Sequence, residues 1–78
     1  MNKNLILLAR QLRKSIGAHY RMIGNSNLTN DAFQDARTKN DEAVSLAKYL
    51  IQSLENRHQA ELFAHQVGMP GYFYAYSV

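Results

Sequence analysis

No glycine or proline interrupts the chain between Gly24 and Gly68, and apolar residues recur through that stretch at helical spacing. Placed at 100° per residue, Phe33, Ala36, Ala43, Val44, Ala47, Leu50, Ile51, Leu54 and Leu62 fall within roughly a third of the circumference. Asp35, Arg37, Lys39, Asp41, Lys48, Glu55 and Arg57 lie mostly outside that arc or along its edges. The direct reading is one long amphipathic helix over residues 30–67. Its apolar stripe has to be covered, and the remainder of the chain is read for what can cover it.

Upstream, residues 4–23 spell a shorter helix. Asn2 or Asn4 suits its N-cap, Arg21 sits in the last turn where a cation complements the helix dipole, and Gly24 suits the left-handed position beyond the end. Its apolar face is Leu5, Leu8, Ala9, Leu12, Ile16, His19, Tyr20 and Ile23, close to a heptad seam. Gly17 stands inside this helix, where glycine costs about 1 kcal/mol relative to alanine. A kink or the close approach of a neighbour would account for it. Residues 25–30 form a polar connection of hairpin length, with Thr29 or Asn30 capping the long helix and Asp31 in its first turn. Within the long helix, Thr38-Lys39-Asn40-Asp41 has the look of a fresh capping site. Asn40 also falls on the apolar arc, so it is either the candidate kink or a register-setting polar group of the coiled-coil kind.

At the far end Gly68 fits the residue after a helix, Met69 can pack back on Phe63 or Ala64, and Pro70 prevents continuation. The tail, residues 69–78, is aromatic and uncharged, and its pattern suits an extended segment that docks on the helices. At 1.5 Å per residue the short helix is ~30 Å long and the long one ~55 Å. An antiparallel hairpin with Ile23 near Asn30 therefore leaves Leu54, His58, Leu62 and His65 beyond the end of the short helix. The tail, reaching ~30 Å when extended, is one possible cover. The other is a second copy.

Seventy-eight residues make one domain with a marginal core, and the absence of cysteine rules out a disulfide or thiolate–zinc staple. The expected fold is therefore all-α: an antiparallel hairpin of a short and a long helix, kinked if anywhere near Asn40, with an extended aromatic tail. Two such hairpins are expected to pair into a helical-bundle homodimer or higher homo-oligomer, with Leu54, His58, Leu62 and His65 as the seam.

Charge is divided three ways. Residues 1–28 hold five bases and no acid, residues 29–61 hold six acids and four bases, and nothing beyond Glu61 carries a charged side chain other than histidine. Arg10, Lys14, Gly17 and Arg21 follow helical spacing, with Arg13 at the flank. Clustered cations of this kind can displace the counterions of nucleic-acid phosphates. The same stripe reads equally as a solvated face, or as one that meets an acidic surface of the long helix or of a partner. No helix-turn-helix spacing, RNA-binding signature or basic-zipper pattern accompanies it. Ile6, Leu7 and Leu8 widen the apolar face beside these bases as in a membrane-surface helix, but the long helix already needs that seam. The apolar run before Arg10 is too short for a signal peptide, and no stretch approaches the ~20 apolar residues of a membrane span. A cytoplasmic chain without a membrane partner is expected.

Catalytic chemistry finds little footing. His58, Glu61 and His65 share a face, but the two histidines are two turns, ~10.5 Å, apart, too far for one ion. Ser15 and His19 lie one turn apart with no third orienting group. There is no nucleophile motif, phosphate loop or cofactor fingerprint, so neither enzymatic activity, cofactor nor metal is expected. Tyr72, Phe73, Tyr74, Tyr76 and Val78 form the best recognition element, because aromatic side chains concentrate binding energy at interfaces. The competing reading is that they simply cover the long helix, to which Tyr49, Phe63 and Val67 offer a second apolar strip. The expected function is a self-associating, non-enzymatic protein-binding module that inhibits, adapts or regulates another protein, of the kind common among phage and mobile-element accessory proteins. It would act through Arg10, Arg13, Lys14 and Arg21 and through Tyr72, Phe73, Tyr74 and Tyr76. The alternative is a small basic regulator that binds DNA or RNA through the arginine and lysine stripe.

Overall fold

The computed structural model describes residues 2–24 and 29–76, and all the regular structure among them is helical. Five helices follow in order: α1 (Lys3–Ser15), α2 (Ala18–Arg21), α3 (Asn30–Ser53), α4 (Arg57–Gln66) and α5 (Pro70–Tyr76). Each of the two expected helices is divided, and each division has a local cause. The connection at residues 25–28, and Ser77 and Val78 with the role expected of Val78, lie outside the described residues.

The Asn2 side chain caps α1, accepting the Asn4 N–H at 2.7 Å. Instead of continuing to residue 23, the helix ends at Ile16, which is extended, and Gly17 follows at φ +77°. That left-handed backbone is strained for an L side chain and free for glycine. The part-buried N–H of Gly17 donates to Asn40 Oδ1 at 2.7 Å. Asn40 therefore closes a break in the short helix and does not kink the long one. The single turn of α2 follows, burying His19 with its ring 5.8 Å from that of Phe33.

Thr29 caps α3, its hydroxyl accepting the Ala32 N–H at 3.1 Å. The helix runs unbroken through Asn40 and stops at Leu54, with no glycine or proline responsible. Two side chains make this stop possible. Asn56 accepts the Gln59 N–H at 3.1 Å and so starts α4. The Arg57 guanidinium folds back to donate to the carbonyls of Ile51 and Leu54, both at 3.1 Å, satisfying acceptors that a helix C-terminus leaves open. Residues 30–67 are thus two helices, and the break lies at 54–56, well away from Asn40.

This break changes what covers the apolar overhang. α4 packs against both α1 and α3. The core they share is Ala9, Leu12, Ala43, Ala47, Ile51, Ala60, Phe63, Ala64 and Val67, with Phe73 from α5. Alanines on three helices let the backbones approach, and Phe63, Ile51 and Val67 fill the space as the largest fully buried side chains. On α4 the inward line is Ala60, Phe63, Ala64 and Val67, whereas His58, Leu62 and His65 are exposed. The chain therefore buries a different side of this segment against α1 and α3, and of the expected overhang only Leu54 is covered, while His58, Leu62 and His65 stay exposed.

Gly68, at φ +79°, ends α4, and the Met69 N–H reaches the Ala64 carbonyl at 2.8 Å while Met69 packs on the core. Beyond this stop the tail is helical, not extended. Pro70 stands at the first position of α5, where its fixed φ and missing N–H are harmless. A helix satisfies its own backbone while turning Phe73 inward and Tyr72 toward α3. The Tyr72 hydroxyl bonds the Gln52 amide, Lys48 lies 5.3 Å from the Tyr72 ring centre, and Arg57 lies 5.2 Å from that of Phe73.

Candidate interaction surfaces

The tail aromatics divide by role. Phe73 is core and Tyr72 is half-buried against α3, but Tyr74 is 52% exposed and Tyr76 63%. Tyr74 leans toward α4, its hydroxyl 3.1 Å from His65 Nε2 and the two rings edge-to-face with centres 6.0 Å apart. A hydrogen bond to Glu61 raises the Tyr74 pKa above its ordinary 10.0, with smaller contributions from desolvation and from the carboxylate charge. In the His65–Tyr74 bond the imidazole tautomer decides which group donates. His58 and Leu62 lie on the same side of α4 by helical spacing. The result is an exposed patch of His58, Leu62, His65 and Tyr74 around one acid. Leu54, the fourth residue of the expected seam, is elsewhere, packed on the core and lining a cavity of about 340 Å³ with Leu5, Leu8 and Gln59.

The Glu61 bond has a measurable signature. With the fold holding Tyr74 neutral, the bond's stabilisation is present at neutral pH and is lost as pH rises through the raised Tyr74 pKa. In ¹³C NMR, Tyr74 Cζ should titrate later than the free-tyrosine value, and Glu61→Gln should move it back toward that value. Identical titration in the two proteins would remove the bond from the description.

On α1 the residues Lys3, Leu7, Arg10 and Lys14 recur at helical spacing and are all exposed, and Arg13 is exposed on one flank. Arg21 does not extend this stripe by periodicity, because Gly17 breaks the helical phase. It returns to it by another route, its guanidinium donating to the Lys14 carbonyl at 2.9 Å. Among the described residues Lys3, Arg10, Arg13 and Lys14 form no ion pair, whereas Lys39 pairs with Asp35 at 3.2 Å. A second cavity, about 310 Å³, opens between Lys14, Ala18 and Met22 on one side and Asp35, Ala36 and Lys39 on the other.

The exposed basic line of α1 and the aromatic run of α5 are legible in the residues, although Phe73 is core and Gly17 interrupts the line before Arg21. The joining of Tyr74 to His65 is not, because that contact depends on the turn at Gly68 and on α5 being a helix. Among the described residues no group of three or more His, Asp or Glu is placed to hold a metal ion, and no helix is long and apolar enough to cross a membrane. No family model matches the chain, and no curated protein or solved structure does either.

Proposed function

We propose that the chain is a non-enzymatic protein-binding module that regulates a partner protein, as inhibitor or adaptor, through the α4–α5 patch. The observation that carries this reading is the exposed Tyr74 held against His65 beside Leu62. A tyrosine already fixed by its neighbours loses little freedom when a partner covers it, and amphipathic aromatics are frequent energetic centres of interfaces. Beyond Glu61 no charged side chain other than histidine has to be desolvated. Tyr74→Ala and Leu62→Glu, both at exposed positions, should keep the wild-type helical circular-dichroism spectrum. Affinity capture from the native cell should recover a protein with the wild-type chain that both variants fail to retain. Truncating a central anchor costs ~2 kcal/mol or more, about a 30-fold loss of affinity. Equal recovery by all three chains would remove this patch from the function.

A second reading, a regulator that binds nucleic acid through the basic stripe, is favoured by the acid-free first 28 residues and by the exposed line Lys3, Arg10 and Lys14. It requires log K for generic DNA to fall with log salt at a slope of about −2.7 for three phosphate contacts. It also requires binding to vanish when Arg10, Lys14 and Arg21 become glutamate.

A further inference from the structure

The α4–α5 patch leaves the outward face of α1 and α3 without a role, although it exposes Leu7 (52%), Leu46 (41%) and Tyr49 (64%). The Gly17–Asn40 hydrogen bond sets the register of the two arms. On one side of it Leu12 and Ala43 line one groove, and on the other Met22 and Asp35 line a second, so α1–α2 runs antiparallel to α3. The exposed line of α1 is Lys3, Leu7, Arg10 and Lys14, and α3 has an exposed line of its own at helical spacing, Glu42, Leu46, Tyr49 and Ser53. Read in opposite directions, the two lines have the same spacing.

The geometry points to a second copy of this chain docking on that face, about a two-fold axis parallel to α1 and α3. Such an axis leaves every residue at its own height, so α1 meets the partner's α3 in the register it already has with its own. Lys14 then comes level with the partner's Glu42, Leu7 with the partner's Tyr49, and Lys3 with the partner's Ser53. Arg10 comes level with the partner's Leu46, its stem available for apolar contact and its guanidinium within reach of the partner's Tyr49 ring. Seven residues further along, Arg21 is level with the partner's Asp35. Each pairing occurs twice. Charge selects this axis over its alternative. A two-fold perpendicular to the helices would lay α1 on the partner's α1, and residues 1–28 contain five bases with no acid to oppose them. The inference is independent of the α4–α5 reading, and Tyr74→Ala should dimerise as wild type does.

Sedimentation velocity on three samples tests it. Wild type is expected to sediment as a dimer. Lys14→Glu and Glu42→Lys are each expected to be monomeric where wild type is dimeric, a weakening of at least tenfold. An equimolar mixture of the two variants should recover the dimer, because each Lys14–Glu42 pairing is rebuilt, one of them with reversed sign. A role for either residue within its own chain cannot be rescued by mixing. Leu7→Glu, checked by circular dichroism for retained helix, should also be monomeric and should not be rescued by Glu42→Lys. Three results overturn the proposal: wild type remaining a monomer up to about 1 mM, whether or not it binds DNA; single variants that dimerise like wild type; or a mixture that stays monomeric.

Discussion

Replacing Phe63 with alanine is expected to abolish the cooperative thermal melt of this protein. Phe63 is fully buried where α4 packs against α1 and α3, among the alanines that bring those helices together. Small residues around a large ring cannot expand to fill the space it vacates. The substitution therefore costs both the transfer of the ring and an unrelaxed cavity, about 3–5 kcal/mol. A core at this chain length rarely supplies more than about 3–5 kcal/mol in total. The loss is as large as the whole, and far-UV circular dichroism should show a broad, non-cooperative decay. Leu62→Ala is the informative control. One residue away, Leu62 is 37% exposed, and its truncation should leave a sharp melt with a modestly lower midpoint. The pair reports which side of α4 faces inward. A cooperative melt for Phe63→Ala beside a collapsed one for Leu62→Ala would reverse the orientation of α4.

That contrast also separates what could be read from the residues and what could not. The helical character, the caps at Asn2 and Thr29, the stop at Gly68 and the anomalies at Gly17 and Asn40 are all local, and each is visible in the sequence. The use of Asn40 by Gly17 joins residues 23 apart, and no local pattern announces such a pairing. The break at 54–56 carried a signal that periodicity overrode. Asn56 followed three residues later by Gln59 is a capping pattern, and the structure uses its first half. The competing pattern around Thr38 to Asp41 is not used, since the Asn40 side chain is engaged elsewhere. Once the helix breaks there, α4 is free to turn by its own phase, so Phe63 and Val67 move from the back of the long helix to the centre of the molecule. The surfaces follow the same rule. A basic line along one helix is legible from spacing, whereas a patch made by α4 and α5 together depends on the angle between them.

Gly17 and Asn40 are expected to behave as one unit under mutation. Gly17→Val should destabilise by about 1–3 kcal/mol, because a β-branched residue is held at φ +77° against its steric preference. A Cβ built at Gly17 meets nothing within 4 Å, so the cost is one of backbone conformation and not of collision. Asn40→Leu should cost a similar amount by another route, leaving the part-buried Gly17 N–H without its acceptor. Asn40→Asp, which keeps an acceptor at that position, should retain most of the lost stability. The two large substitutions should not add. Valine at position 17 favours a right-handed backbone there, which takes the N–H away from Asn40 before the asparagine is removed. Urea midpoints of the wild type, the two single variants and the double variant then give a coupling of at least about 0.5 kcal/mol, the range seen for residues in direct contact. Additive losses would mean that the left-handed turn persists without the asparagine. The division of α1 from α2 would then rest on Gly17 alone, and Asn40 would lose its place as the residue through which α3 holds the short arm bent.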